Sequence, residues 1–306
     1  MSPSRRSRTL IALAVVTLGA APLAACGSSS TSSDSGRISV VASTDVWGAV
    51  AGAVAGDKAD VSSLYTSPDG DPHEFEATAR DTAKIADAGV VVLNGADYDH
   101  YMEEAEKGPD AAVVSADDVY KGLNPDASTK AGAVNEHFFY NLTVVAGVAD
   151  KIADALADKA PDDAATFRAN ASAFTAKIDG LKTRLAQIKA AHNGAKVAQT
   201  EPLAAYLLAD AGLIDATPEG FTEAVESGQD PAAADIATTQ DLIRDKTVTA
   251  LLYNTQAVDD ITKNLLTTAE GNRLPVVKLT ETLPSGVTDY IAWQTATVDA
   301  IATAVS

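Results

Sequence analysis

The chain has 306 residues, 46% hydrophobic and 21% charged, which is enough length and apolar content for two ordinary domains with their own cores. Its formal net charge of −19 argues against nucleic acid as a partner, because phosphate backbones are bound by basic faces. The excess acid reads instead as a solvated surface that aids solubility and modestly concentrates cations.

Residues 1–25 differ from the rest. Arg5, Arg6 and Arg8 precede an apolar run from Leu10 to Leu18, too short to span a bilayer and suited to an export signal that is removed. The signal carries three arginines and no acidic residue, so the net charge of −19 becomes −22 after cleavage. At its end Leu23-Ala24-Ala25-Cys26-Gly27 resembles the lipobox of bacterial lipoproteins, which implies that Cys26 is lipidated and becomes the mature amino terminus. Cys26 is the single cysteine, and an unpaired thiol is otherwise unexpected in an exported protein. Residues 26–36 have no apolar residue beyond that cysteine and form a flexible tether. The expected location is the outer face of the cell membrane, with the body held there by the lipid on Cys26. Arg5-Arg6 suggests twin-arginine export, but Arg8 stands where an apolar residue is expected, so the route stays open.

From Arg37 short apolar runs alternate with helical periodicity, the pattern of parallel sheets with helices on their faces. Four strands are expected in residues 37–135: Ile38 to Ser43, Val61 to Tyr65, Val90 to Asn94 and Ala111 to Ser115. Helices are expected near Val46 to Ala55, Ala77 to Ala88 and Tyr98 to Glu106, giving strand, helix, strand crossovers. The polar stretch from Lys121 to Val134, with Gly122, Pro125 and Gly132, reads as a loop.

Residues 136–193 have no strand signal, only helix formers from Phe139 to Leu156 and from Pro161 to Ala191. In the second run Phe167, Phe174, Ile178, Leu181, Leu185 and Ile188 follow one another at spacings of seven, four, three, four and three, a single helical stripe. About 30 helical residues make a rod of roughly 45 Å, long enough to cross from one lobe to another. A coiled coil requires the heptad to persist, and Asn193-Gly194 ends it. Residues 194–306 resume the alternation, with strands at Lys196 to Thr200, Leu213 to Asp215, Val248 to Tyr253 and Val276 to Leu279. Helices fall near Leu203 to Ala211, Ala232 to Asp245, Ile261 to Glu270 and Val287 to Val305. The expected fold is α/β with two lobes, each a mainly parallel four-stranded sheet flanked by helices, bridged by a long rigid α-helix.

The residues that carry chemistry lie in loops. Ser67-Pro68-Asp69-Gly70-Asp71-Pro72-His73-Glu74 is a tight polar turn at a strand's carboxyl end, where parallel α/β sheets bind ligands. Asn135-Glu136-His137 precedes the first middle helix, and Thr200-Glu201-Pro202 and Thr280-Glu281-Thr282 follow strands of the second half. Each has a plain structural reading alone: a loop histidine, or a carboxylate at a helix's amino end.

Together these segments resemble the metal-binding solute receptors of ABC importers, the zinc or manganese group of bacterial lipoproteins. The resemblance spans Arg37 to Ser306 and rests on Asp71-Pro72-His73-Glu74-Phe75-Glu76, Val92-Leu93-Asn94-Gly95 with Tyr98, Asn135-Glu136-His137 and Thr200-Glu201-Pro202. Ser227-Gly228-Gln229-Asp230-Pro231 through Asp235-Ile236, and Leu252-Tyr253-Asn254-Thr255-Gln256, add to it. It implies that His73, His137, Glu201 and Glu281 hold one divalent transition-metal ion, zinc or manganese, as cargo. It also implies delivery to an ABC transporter permease and its ATPase by a monomeric receptor that is not an enzyme. The family often has Asp-Pro-His where this chain has Asn135-Glu136-His137, and commonly aspartate at the last position, where Asp289 is the substitute for Glu281. Two nitrogens and two carboxylates suit ions between soft and hard, and two carboxylates neutralise a divalent charge. His100 reads as a surface histidine and His192 as a cation at a helix's carboxyl end.

Two other classes compete. A metal-dependent hydrolase also uses His and Glu, but it needs an open coordination position and a general base, and neither His-Glu-x-x-His nor Gly-x-Ser-x-Gly occurs. A surface adhesin on the same fold needs no metal at all.

Overall fold

A computed structural model describes residues 37–125 and 134–306; the expected export signal, Cys26 and the tether lie outside the described residues. Among the described residues eight short strands form two sheets. In the first, β1 (Ile38–Thr44) and β3 (Val90–Leu93) are flanked by β2 (Ala59–Tyr65) and β4 (Ala112–Ser115), in the order β2-β1-β3-β4 with every pairing parallel. In the second, β5 (Lys196–Gln199), β6 (Ile214–Asp215), β7 (Leu251–Asn254) and β8 (Val276–Leu279) repeat that order as β6-β5-β7-β8, again all parallel. The two halves thus share one plan, and each turns its strand carboxyl ends toward the loops that carry chemistry.

The central strands are continuous apolar runs because helices cover both faces. Val90, Val91, Val92 and Leu93 are all buried. Trp47, Val50 and Val54 on α1 (Asp45–Ala55) fill one face of the first sheet, and Val41, Val91, Ile85 and Met102 form a smaller cluster on the other. Ile85 belongs to α2 (Ala79–Ala86), whose Thr78 and Asp81 make a reciprocal capping box.

Differences from the sequence reading have local causes. The segment before β4 contains only a five-residue helix, α3 (His100–Glu104). Gly95, Ala96 and Asp97 take left-handed φ values of 76°, 56° and 70°, so the chain turns rather than entering a helix at Tyr98. Asp99 fixes this turn by accepting from the main-chain N–H of Asn94 at 2.6 Å and of Gly95 at 2.8 Å. The stretch after β4 is helical from its first residue, α4 (Ala116–Leu123), capped by the Ser115 side chain. The expected loop therefore starts after Leu123, and residues 126–133 lie outside the described residues.

The middle of the chain is α5 (Leu142–Lys159), then a 3-10 turn at Pro161–Asp163, then α6 (Ala164–His192), 29 residues long. The predicted stripe on α6 is its buried face: Phe167, Phe174, Ile178, Leu181, Leu185 and Ile188 are all buried. It packs on α1 and α5 from the first half and on α7 (Ala205–Asp210) and α11 (Tyr290–Ala304) from the second. One continuous core therefore runs through both halves. The remaining helices are α8 (Glu219–Glu226), α9 (Ala233–Arg244) and α10 (Asp260–Gly271), of which α8 is absent from the sequence reading. No helix among the described residues is long and apolar enough to cross a membrane.

Candidate metal centre

His73 follows β2 in a 3-10 turn begun by Pro72, with Asp71 accepting from the His73 main-chain N–H at 2.8 Å. Gly70, at φ 94°, makes the reversal, and Tyr65 donates its hydroxyl to the Gly70 carbonyl. Tyr98, delivered by the strained turn after β3, sets its ring against His73 with centroids 4.7 Å apart. Gly95 is required in that turn twice over. Its φ is positive, and a Cβ there meets Asp117 at 2.8 Å and Ser115 at 2.9 Å.

His137 is fully buried. The Asn135 side-chain oxygen accepts from both its main-chain N–H and its ring Nδ1, at 2.9 Å each. The Asn135 amide in turn donates to the Pro202 carbonyl at 2.7 Å. With Nδ1 engaged as a donor, Nε2 carries the lone pair and faces the centre. Asn94, at the end of β3, donates to the Glu136 carbonyl at 2.8 Å and accepts from the Trp47 indole at 3.3 Å. The first sheet thereby anchors this loop.

Glu281 comes from the loop after β8. Gln256 holds it, its side-chain oxygen accepting from the main-chain N–H of Glu281 at 2.5 Å and of Thr282 at 3.2 Å, while its amide donates to the Gly70 carbonyl. Asn254, at the end of β7, donates to Glu281 Oε1 at 2.9 Å and also to Glu201 Oε2. Glu281 Oε2 faces the histidines, 3.4 Å from His73 Nε2 and 3.6 Å from His137 Nε2.

His73, His137 and Glu281 thus present ligand atoms within 4.8 Å of one another. The buried His73 Nε2, His137 Nε2 and Glu281 Oε2 have no hydrogen-bond partner. Glu201 is buried beside them but does not belong to that group; it reaches Glu281 only through Asn254. Asp289 is elsewhere, capping α11 by accepting from the Ala292 N–H. His100 is exposed, and His192 lies in the last turn of α6. A carboxylate that the sequence reading did not single out also enters: Glu226, the last residue of α8, places Oε1 3.5 Å from both His73 Nε2 and His137 Nε2. Its signal in the sequence is its place next to Ser227-Gly228-Gln229, a segment already marked by the resemblance.

The electrostatics are those of a cation site. Burial disfavours the His73 imidazolium, yet the Glu281 carboxylate outweighs it and raises the pKa to about 9. Burial opposes ionisation of Glu281 too, but the neighbouring His137 and His73 rings outweigh it and bring its carboxyl well below the usual range. Burial and the charge of Glu281 push Glu201 up to about 8. Burial, with the charges of Glu201, Glu136 and Glu281, pushes Glu226 far higher. More carboxyl groups converge here than two histidines compensate, so Glu201 and Glu226 hold their protons in the absence of a cation.

The family model for ZnuA, the zinc-uptake complex component A periplasmic, matches residues 40–304. The chain belongs to this family. Among its relatives, the metal ABC transporter substrate-binding lipoprotein SsaB of Streptococcus sanguinis is 29% identical over 182 residues, 56% of this chain and 57% of that protein. The manganese ABC transporter substrate-binding lipoprotein scaA of Streptococcus gordonii is 28% identical over 188 residues, 58% of this chain and 59% of that protein. These alignments therefore span less than two thirds of the relatives' length. The fold is shared more widely. The laminin-binding protein Lmb of Streptococcus agalactiae, described as having adhesin and metal transporting activity, superimposes with a TM-score of 0.71 at 19% identity, covering 88% of this chain and all of that one. The periplasmic zinc-binding protein TroA of Treponema pallidum also gives 0.71, at 14% identity, covering 88% of this chain and 99% of that one. The family's architecture is thus present from the first strand to the last helix.

Proposed function

We propose that this protein is the extracytoplasmic receptor of an ABC importer, capturing one divalent transition-metal ion and delivering it to the permease and its ATPase. The observation that carries this reading is the convergence of His73 Nε2, His137 Nε2 and Glu281 Oε2, three buried atoms without hydrogen-bond partners, on one spot. Leaving such groups unpaired in a folded interior is costly, and a divalent cation satisfies all three together. Glu201, held against Glu281 by Asn254, is the further carboxylate that the resemblance implies.

Zinc, manganese or iron is the class of cargo, in keeping with what the relatives are named for. Imidazole favours late first-row ions and carboxylate favours harder ones, so the donor set spans zinc and manganese. The receptor acts as a monomer tethered through the lipid on Cys26 to the outer face of the cell membrane, and it catalyses nothing. Residues 37–135 and 194–306 serve as the two lobes and residues 136–193 as the helical region between them, after a signal at 1–25 and a tether at 26–36.

The test is elemental analysis of protein purified from its own envelope, followed by titration of chelated protein with zinc and manganese. One equivalent of ion per chain is expected. Protein that binds none returns the reading to a metal-free adhesin, and metal-dependent hydrolysis of ester or peptide substrates returns it to a hydrolase.

A further inference from the structure

Resting on the receptor reading above, one residue of the centre has a role that neither the sequence motifs nor the family match assigns. Glu226 ends α8, and both its carboxylate oxygens are buried without a hydrogen-bond partner. Its Oε1 lies 3.5 Å from His73 Nε2 and 3.5 Å from His137 Nε2, while Glu281 Oε2 lies 3.4 and 3.6 Å from the same two nitrogens. The four atoms alternate nitrogen and oxygen around a closed ring. Direct charge-assisted hydrogen bonds are shorter, about 2.7–2.9 Å. Donors held about 2.0–2.2 Å from one tetrahedral ion are instead about 3.3–3.6 Å apart, and the four nitrogen–oxygen separations here fall in that range.

The helix supplies an independent reason. A carboxylate at the carboxyl end of a helix faces the negative end of its dipole, and burial adds desolvation. A cation bound there reverses both penalties. Glu201 differs, because the Asn254 amide partners its Oε2 and neither of its oxygens is a buried atom left without a partner, whereas Glu281 keeps Oε2 unpartnered. We propose that Glu226 is a direct ligand of the cargo ion, completing with His73, His137 and Glu281 a set of two imidazole nitrogens and two carboxylates, while Glu201 stays on Asn254 beside them. Glu226 also lines a cavity of about 450 Å³ with Glu136, Glu219 and Glu223.

The experiment compares wild type, Glu226→Gln, Glu226→Asp and Glu201→Gln by zinc competition titration, by cobalt(II) absorption spectra and by melting with and without zinc. Glu226→Gln is expected to weaken zinc binding by more than the roughly 10–100-fold typical of outer-shell partners and to change the cobalt bands. Its ion-free melting temperature should not fall, since an unpaired buried carboxylate has been removed; a merely structural residue would lower it. Glu226→Asp keeps the charge but shortens the reach, and should weaken binding with a folded protein. Glu201→Gln should leave the cobalt bands in place. Wild-type affinity and wild-type bands in both Glu226 variants would overturn the assignment while leaving the receptor intact, and bands lost only in Glu201→Gln would hand the position to Glu201. A wild type that binds neither zinc nor cobalt overturns the receptor reading itself.

Discussion

One oxygen of Asn135 accepts two hydrogen bonds from His137, from its main-chain N–H and from its ring Nδ1, both at 2.9 Å. The first fixes the loop and the second fixes the tautomer, so Nε2 is aimed before any ion arrives. Asn135→Ala removes both while leaving every proposed ligand in place. Metal affinity should fall about 10–100-fold, the usual cost of losing an outer partner of a ligating histidine. Competition with a chromophoric chelator measures it, and an unchanged affinity would show that packing alone orients the ring.

Among the histidines, His73→Ala and His137→Ala should each reduce binding far more than His100→Ala, which should behave as wild type. His100 is exposed, whereas His137 is fully buried with its Nε2 unpaired. Glu281→Ala should be comparably severe, because Glu281 Oε2 is near both histidines. Titration of the four variants with zinc and with manganese tests this. Zinc should bind more tightly than manganese in every active variant by the general affinity order, so affinity alone does not identify the cargo.

Much of this was legible in the chain and some was not. The strands announced themselves as apolar runs between glycine and aspartate, and the α6 stripe from Phe167 to Ile188 was readable because seven-residue periodicity survives over about six turns of helix. Short helices were harder. α4 begins directly at the end of β4, and Gly122 with Pro125 made its tail look like loop. α8 has only Phe221, Thr222 and Val225 as a buried face, too brief a period to separate from a turn. Missing α8 meant missing Glu226, whose approach to His73 is a tertiary contact with no local signature. The resemblance brought His73, His137, Glu201 and Glu281 forward, but it took the folded structure to reveal that Glu201 and Glu281 share the Asn254 amide while Glu281 alone of the two keeps a buried oxygen without a partner.

The ion-free protein should lose stability as pH rises from about 6 to about 9. His73 has its pKa raised to about 9 in the fold, so its contribution is complete below its ordinary value and is lost as pH climbs through 9. Glu201, raised to about 8, acts in the same direction, its contribution fading as pH passes its folded value. The His73 shift corresponds to an upper bound on the order of 3 kcal/mol. A bound ion replaces the His73 proton, so binding near neutral pH should release protons and strengthen with pH. Melting curves with a chelator and with zinc across this range, and calorimetry in buffers of different ionisation enthalpy, check both signs. Stability that rises steadily toward pH 9 without metal would contradict the charge balance described.

Cys26→Ala should release the protein from the membrane fraction without changing metal affinity. Cys26 lies beyond the described residues, and the centre is built entirely from residues after Arg37. Fractionation of cells expressing the variant reads the first effect, and titration of the released protein the second. Continued sedimentation with membranes would mean that something other than a lipid on Cys26 holds the chain there.

Ion binding should move the two halves only slightly. The 29 residues of α6 form a rod about 43 Å long that packs against α1 and α5 and also against α7 and α11 of the second half. Polar links add to it: Thr282 Oγ1 donates to the Ser67 carbonyl at 2.8 Å, the Tyr140 hydroxyl to the Thr280 carbonyl at 2.7 Å, and the Tyr290 hydroxyl to the Phe139 carbonyl at 2.7 Å. A wide hinge closure would have to break several of these and unpack α6 from one half, whereas closing the histidine and carboxylate atoms around an ion needs each to shift only a little. A closed hinge needs a few residues free to absorb large backbone rotations, and a continuous helix offers none. Solution scattering should therefore give nearly the same radius of gyration with chelator and with saturating zinc, and hydrogen exchange should slow mainly in the His73, His137 and Glu281 loops. A large compaction on adding zinc would show that α6 bends or that its packing on one half is released.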